Sequence, residues 1–127
     1  MIVRNYMSSP PVTIQSDDSD HTALRLMAKH TIHHIPVVTS DGQLVGILAE
    51  RDLLLAASRY LQTKVDIEEV MNRDVVTATL DLPLTEAANL MVAHRIGCLP
   101  VVDTAQQVVG IITEIDLLRA FVEMTSA

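Results

Sequence analysis

The sequence has few aromatic residues, and this scarcity bounds how a core and a ligand site can be built. Two Tyr, one Phe and no Trp occur among its 127 residues. Because 49% of the residues are hydrophobic, a sizeable core is available, but it must consist of aliphatic side chains, Met and Ala. A planar ring bound by this protein would therefore lie between aliphatic side chains, with no indole to stack on.

Cysteine is nearly absent as well, since Cys98 is the only one in the chain. A single cysteine excludes an internal disulfide and a zinc site built from several thiolates. The N-terminal residues MIVRNYMSSPP contain no apolar signal-peptide segment, and the apolar runs of about five residues are too short to span a membrane. We therefore expect a soluble, reduced, cytoplasmic protein with no membrane partner.

Positive charge is scarce too: 9 Lys and Arg residues stand against 16 Asp and Glu residues, for a net charge of −7. Binding to a nucleic-acid backbone needs an extended basic surface, so we expect no nucleic-acid partner. A small anionic ligand needs only a local basic cluster and stays compatible with this charge. The sequence also lacks a Gly-rich phosphate loop and a nucleophile beside a base, so we expect no enzyme activity and no catalytic residues.

What the sequence does contain is an internal repeat. Residues 7–56 match residues 71–120 without a gap, and the stretch HTIHHIPVV that begins at His30 returns as HRIGCLPVV beginning at His94. A match at one fixed offset indicates two copies of one structural unit. We place the first repeat at 1–61, a linker at 62–66 and the second repeat at 67–127. The second copy keeps the first His but replaces His33-His34 by Gly97-Cys98.

Each repeat predicts the order β-α-β-β-α. A short extended piece (VTI, then VVTAT) precedes an amphipathic helix, two apolar strands and a second helix. In the first repeat the strands are joined by Ser40–Gln43, whose Asp-Gly pair favours an antiparallel hairpin. Neither repeat is large enough for a comfortable core alone. We therefore expect an α/β fold of the α+β type, with the repeats packed face to face about a pseudo-two-fold axis.

The strand–helix segments IPVVTSDGQLVGILAERDLL and LPVVDTAQQVVGIITEIDLL carry a family resemblance. The chain resembles a tandem pair of cystathionine-β-synthase (CBS) domains, a Bateman module, over nearly its whole length. The resemblance implies a regulatory module that binds an adenosine-containing nucleotide (AMP, ADP or ATP) between the repeats and signals to a partner protein not identifiable from the sequence. No cofactor is required, and the adenine nucleotide is the regulatory ligand. The alternatives are a binder of S-adenosylmethionine or a dinucleotide, and a ligand-free dimerisation scaffold.

The resemblance also implies two sites, each combining the Thr-x-x-Asp end of one repeat with the strand and basic residues of the other. Site A would then hold phosphate, whereas site B would be weak, empty or occupied by a less charged ligand. Site A would comprise Thr13, His33, His34, Ile35, Pro36, Arg51, Thr113 and Asp116. Site B would comprise Ala49, Asp52, Thr77, Arg95, Gly97, Cys98, Leu99, Pro100 and Ile115.

The segment TEID, from Thr113 to Asp116, has two interpretations. Its carboxylate could accept hydrogen bonds from both ribose hydroxyls, as the resemblance implies. Alternatively, Thr113 and Asp116 form a capping box at the start of the second helix. Repeat 1 has AERD at this place, where Ala49 replaces the threonine and Arg51 is gained.

The histidines also allow more than one role. His33 and His34 are candidate phosphate ligands, but they could simply be solvated residues ahead of a buried strand. Adjacent residues of a strand point to opposite faces, so the two cannot easily share a metal ion, and we expect no metal site. His30 and His94 occupy equivalent helix-end positions, where a structural role such as capping carbonyl groups is favoured over ligand binding.

The second helix of each repeat predicts self-association. One repeat can cover only part of an apolar face as wide as these, and exposed patches of that kind mark interfaces. We therefore expect a homodimer. The apolar residues are Leu53, Leu54, Ala57 and Leu61 in one helix and Leu117, Leu118, Phe121 and Val122 in the other.

Overall fold

The computed structural model describes residues 1–59 and 64–126. Residue contacts divide the chain into two compact units. The repeat-1 unit is Val12–Val75, and the repeat-2 unit joins Met1–Pro11 to Val76–Ala127. Leu61 and the first two residues of the predicted linker lie outside the described residues, and the repeat boundaries at 61 and 67 stay a prediction.

The repeat-1 unit has the predicted order β-α-β-β-α, followed by one additional short helix. Its sheet has the order β1-β2-β3, with β1 parallel to β2 and β2 antiparallel to β3. The elements are β1 (Ile14–Gln15), α1 (Asp20–His30), β2 (His34–Val38), β3 (Leu44–Ala49), α2 (Glu50–Arg59) and α3 (Ile67–Val70).

Local sequence explains how α1 begins and ends. The Ser19 side chain accepts a hydrogen bond from the backbone N–H of Thr22, which satisfies one of the free donors of the first turn. The helix ends at Thr31 in a left-handed conformation, with φ 53°, and the Thr31 N–H donates to the Met27 carbonyl. The buried face of α1 carries Ala23 and Met27, which pack on the strands.

The β2–β3 hairpin confirms the turn that was predicted from Asp-Gly. Gly42 has φ 86°, a left-handed conformation that glycine adopts without steric cost. Ile35 and Val37 of β2 and Leu48 of β3 are fully buried. The core is accordingly aliphatic, as the composition required.

The repeat-2 unit contains α4 (Leu84–His94), β4 (Cys98–Val102), β5 (Val108–Thr113) and α5 (Glu114–Thr125). β4 and β5 pair antiparallel in the same register as the hairpin of repeat 1. The extended piece VVTAT forms only an isolated parallel bridge, Ala78 with Val101, rather than a regular strand. Pairing stops there because the chain turns at once: the Leu82 N–H donates to the Thr79 carbonyl.

The N-terminal segment contributes to the repeat-2 unit instead of the repeat to which its sequence belongs. Ser8 exchanges two backbone hydrogen bonds with Ile111, and a Cβ on the neighbouring Gly110 would lie 2.6 Å from the Met7 sulfur. The equivalent contacts in the repeat-1 unit join Asn72 to Ile47 and place Met71 against Gly46. Only glycine leaves room for these methionines, which explains why both residue types recur in both repeats.

Candidate functional site

A groove of about 500 Å³ opens on the repeat-1 unit where β3 meets α2, and we call it the repeat-1 groove. The two elements meet the start of β2 there, since the Glu50 N–H donates to the His33 carbonyl at 2.8 Å and His34 pairs with Ala49. The groove therefore combines the end of one strand, the start of another and the first turns of a helix. Its lining residues are His33, His34, Ala49, Glu50, Arg51, Leu54, Leu55 and Ser58.

Three residues predicted for site A lie together in this groove: His33, His34 and Arg51. Ile35 and Pro36 follow directly in β2, but both are buried and neither lines the groove. Thr13 is half-buried just before β1. The structure thus brings basic side chains to one place beside a strand, an arrangement suited to an anionic ligand.

Ala49, which was predicted for site B, also lines this groove, whereas Glu50, Leu54, Leu55 and Ser58 were not predicted for either site. Oε1 of Glu50 lies 3.0 Å from Nδ1 of His33, so a carboxylate accompanies the basic cluster. Leu54, Leu55 and Ser58 could have been found by counting three, four and seven positions along the helix from Arg51, since residues at those spacings share one face.

In the repeat-2 unit, Thr113 and Asp116 form the capping box at the start of α5. Oδ2 of Asp116 accepts hydrogen bonds from the backbone N–H of Thr113 at 2.9 Å and from its hydroxyl at 3.1 Å. The Asp116 N–H donates to the Thr113 hydroxyl oxygen in return, at 3.4 Å. The capping interpretation is therefore confirmed, whereas the ribose-binding role of Asp116 stays a prediction.

Among the residues that the structure describes, the second oxygen of Asp116 has only a long ionic contact, to Arg119. Asp116 is 4% exposed, and its Oδ1 lies 3.6 Å from a guanidinium nitrogen of Arg119. Both residues line a second groove of about 520 Å³, together with Met1, Asn5, Tyr6 and Glu123. The pKa of Tyr6 is raised there, first by partial burial and then by the charge of Glu123 and a hydrogen bond with it.

The residues predicted for site B are divided between the two units and include fewer charged or ionisable side chains than those of site A. Asp52 is exposed on α2, although it is the sequence equivalent of the buried Asp116. Thr77 is half-buried, and Arg95 is exposed at the end of α4, where it adopts φ 54°. Cys98, Leu99 and Pro100 are buried in β4.

Cys98 is a buried thiol rather than a reactive one. Burial, with a smaller contribution from the negative charge of Glu114, raises its pKa to about 11. At neutral pH the side chain is therefore a protonated, weakly polar group that packs in the sheet.

Of the described residues that line the two grooves, none is His30 or His94. Both are exposed, and the carbonyls at the two helix ends accept hydrogen bonds from backbone N–H groups of Thr31 and Arg95. Within residues 1–59 and 64–126, no group of three or more His, Cys, Asp or Glu side chains is placed to hold a metal ion. In the same part of the chain, no helix has the length and apolar character needed to cross a membrane.

The residues of predicted site A are divided between the two units. Thr13, His33, His34, Ile35, Pro36 and Arg51 belong to the repeat-1 unit, and Thr113 and Asp116 belong to the repeat-2 unit. The combination of the two groups into one site is a prediction from the family resemblance and stays one.

Comparison with solved structures gives close matches over the whole fold. The CBS domain pair of protein MJ0100, solved in complex with 5′-methylthioadenosine and S-adenosyl-L-methionine, superimposes with a TM-score of 0.90 at 38% identity and 98% coverage of both chains. CBSX2, solved in complex with AMP, matches with a TM-score of 0.87 at 25% identity, again with 98% of both chains covered.

Comparison of sequences finds similar segments within larger proteins. L-aspartate semialdehyde sulfurtransferase of Methanocaldococcus jannaschii is 40% identical over 120 residues, which are 94% of this chain but 23% of that protein. The chain thus spans less than a quarter of that relative. The family model described as "CBS domain" matches twice, at residues 3–59 and 67–123. The chain therefore belongs to the CBS domain family, with one CBS domain in each repeat.

Proposed function

We propose that this chain is a regulatory module that binds an adenosine-containing ligand and passes its state to a partner protein. The repeat-1 groove carries the proposal, because it places His33, His34 and Arg51 on one open surface beside a strand with free access from solvent. Phosphate oxygens accept hydrogen bonds from such groups, and those bonds are strengthened by charge. The relatives solved with AMP and with sulfur-containing adenosines support adenosine as the common element.

The residues expected to read each part of the ligand follow from their positions. The basic side chains of the groove would face phosphate, and the backbone of β2 at Ile35 and Pro36 would face the adenine edge between aliphatic walls. Thr13, Thr113 and Asp116 remain in the proposal on the family resemblance, with Oδ1 of Asp116, the oxygen outside the capping box, as the acceptor for a ribose hydroxyl. We propose no catalytic role for any of them.

Thermal unfolding in the presence of AMP, ADP, ATP and S-adenosylmethionine tests the proposal. A ligand at a hundred times its dissociation constant stabilises the folded state by about 2.7 kcal/mol. The double variant His33→Gln/His34→Gln should lose most of the shift caused by nucleotides. His30→Gln is the matched control, since His30 is an exposed histidine outside the groove.

A ligand-free scaffold is the second candidate, and one observation favours it. Apolar side chains are more than half exposed along α5, namely Ile115, Leu118, Phe121 and Val122. In the repeat-1 unit, Leu54 and Leu55 of α2 are about half exposed. If none of the four compounds shifts the thermal unfolding of the protein, the scaffold replaces the sensor as the favoured function.

Both candidates include self-association, and we propose that the chain forms a homodimer through the exposed apolar face of α5. Burying side chains of this size removes apolar area from water, which favours association. Light scattering should give twice the chain mass of 13.9 kDa. Leu118→Glu should reduce it to the monomer mass, whereas Val92→Glu, on the exposed face of α4, should not. A monomer mass for the parent at tens of micromolar would contradict the homodimer.

A further inference from the structure

A buried carboxylate in repeat 1 takes the place of a leucine in repeat 2. Asp20 is the first residue of α1 and Leu84 is the first residue of α4, and each is 7% exposed. The two positions are equivalent in the repeat, and Leu84 packs in the apolar core of its unit. An aliphatic side chain therefore suits this place in the fold, whereas a carboxylate there carries a cost of desolvation.

The Asp20 carboxylate has little to bond with. Its Oδ1 is buried and, among the residues that the structure describes, has no hydrogen-bond partner. Its Oδ2 faces the backbone N–H of Val65 at 3.5 Å, which is long for a hydrogen bond. No ion pair within residues 1–59 and 64–126 includes Asp20. Negative charge is favoured at a helix start, but a buried acceptor without a donor still opposes the arrangement that buries it.

Each unit packs a short segment against this helix start. In the repeat-2 unit the segment is residues 1–3, and an isolated antiparallel bridge joins Ile2 to Pro83. In the repeat-1 unit it is residues 65–67, which we call the connecting segment, and the equivalent bridge joins Asp66 to Ser19. The two attachments have the same place in the fold and can therefore be compared directly.

The two attachments differ in their hydrogen bonds. Residues 1–3 are held by two backbone bonds across the bridge, one of 2.9 Å to the Leu82 carbonyl and one of 3.1 Å from the Leu84 N–H. Among the described residues, no backbone bond of this kind holds the connecting segment to the start of α1. The long contact between Val65 and the Asp20 carboxylate is found there instead. The connecting segment is thus the more weakly bonded of the two.

We infer that Asp20 makes the connecting segment a release point, at which residues 65–67 lift off α1 as a local unit while the rest of the repeat-1 unit stays folded. Lifting lets water reach the carboxylate and supply its missing hydrogen bonds, which favours the open state. Burial of Val65 and Ile67, which are 6% and 0% exposed, keeps the closed state the major one.

This inference goes beyond the proposed function, because it does not depend on the identity of any ligand. Segments that open locally are those with weakly bonded backbone, and such segments supply the conformational changes on which regulation acts. The release point would give the chain one such change within a single unit.

Hydrogen exchange of backbone amides, followed by nuclear magnetic resonance on the full chain, tests the inference. The ratio of intrinsic to observed exchange rates gives an opening constant at Ile67 for the connecting segment and at Val3 for its equivalent. In the parent protein, we expect opening at Ile67 to be at least about tenfold more favourable than at Val3. Asp20→Leu should lower the opening constant at Ile67 about tenfold and leave that at Val3 unchanged, because leucine fills the equivalent place in repeat 2.

Two further variants isolate the effect of the buried carboxylate. Asp17→Asn is the matched control, since it removes an exposed carboxylate near the same helix start and should change neither opening constant. Leu84→Asp is the reciprocal variant, and it should raise the opening constant at Val3 about tenfold while that at Ile67 stays the same. Circular dichroism verifies that each variant is folded, and Asp20→Leu alone decides the matter if Leu84→Asp is not.

The outcomes are independent of ligand binding, because no ligand is added. Equal opening constants at Ile67 and Val3 in the parent protein would overturn the inference. An unchanged or raised opening constant at Ile67 in Asp20→Leu would overturn it too, since Asp20 would then not weaken the attachment. Equal decreases at Ile67 and Val3 in that variant would indicate a global gain of stability and would also count against a local release point.

Discussion

The capping box of α5 predicts that two aspartates at equivalent sequence positions differ in their effect on stability. Asp116→Ala removes two hydrogen bonds to Thr113, at 2.9 and 3.1 Å, and leaves the half-buried Thr113 N–H without that partner. Loss of a cap costs about 1 kcal/mol, and an unsatisfied donor that is partly buried adds to this. We expect the free energy of unfolding to fall by about 1–3 kcal/mol.

Asp52→Ala should have almost no effect on the same quantity. Asp52 is exposed, and within the described residues it forms no hydrogen bond or ion pair. Ala49 precedes it where Thr113 precedes Asp116, so the reciprocal side-chain bond cannot form. Exposed positions of this kind change stability by about 0.5 kcal/mol or less.

Urea unfolding followed by circular dichroism at 222 nm measures both variants, since the absence of Trp makes fluorescence a poor probe. Thr113→Val and the double variant complete a cycle that isolates the coupling between the two side chains. We expect a coupling of about 1 kcal/mol, so the double variant should be less destabilised than the sum of the single variants. Equal losses for Asp116→Ala and Asp52→Ala, or strict additivity in the cycle, would refute the reasoning.

Three further predictions concern the ligand, the helix ends and the thiol. In calorimetric titrations with AMP, Asp116→Ala should weaken the strongest binding about ten- to a hundredfold, because a charge-assisted hydrogen bond to the ribose is lost. Asp52→Ala should barely change that binding. Equal losses of affinity in the two variants would mean that the two sites are equivalent. Thr31→Gly should raise the free energy of unfolding by about 0.5–1 kcal/mol, because a β-branched residue at φ 53° is strained. The same urea assay measures this change. Arg95→Gly is the counterpart in repeat 2, where the residue has φ 54°. Burial raises the pKa of Cys98 from its ordinary value of 9.0 to about 11, so the stability that it contributes is complete below pH 9 and is lost as pH rises through 11. Iodoacetamide at pH 8 should accordingly label it about a hundredfold more slowly than in the unfolded chain. Similar rates would contradict the raised pKa.

Short-range patterns in the sequence predicted most of the fold. The hairpin around Gly42 and the buried face at Ala23 and Met27 follow from turn chemistry and helical spacing, which act within a few residues. The strand predicted at VVTAT is only an isolated bridge in the structure. Whether an extended segment becomes a strand depends on how far it runs beside the adjacent strand before the chain turns. Likewise, no local signal shows that Met7 packs against Gly110 rather than within its own repeat.

The candidate site was predictable to a smaller extent. His33, His34 and Arg51 were predicted together because the family resemblance supplied the alignment, and the groove brings them together. Glu50 was missed, since a glutamate at the start of a helix is usual and its partner lies seventeen positions earlier in the chain. Charge pairing across a strand–helix junction becomes visible only when the two elements are folded together.

The repeats differ in chemistry where the second strand of the hairpin gives way to the second helix. At that junction repeat 2 places its threonine and aspartate in hydrogen bonds with each other, so its polar groups stabilise α5. Repeat 1 has alanine at the first of these positions and leaves its aspartate exposed, while His33, Glu50 and Arg51 surround an open groove. A duplicated unit under purely structural constraint would be expected to keep the stabilising cap in both copies, since a cap contributes about 1 kcal/mol. Because repeat 1 lacks that pair and carries basic side chains at the same junction, its groove is the place where we expect selection for ligand binding to have acted.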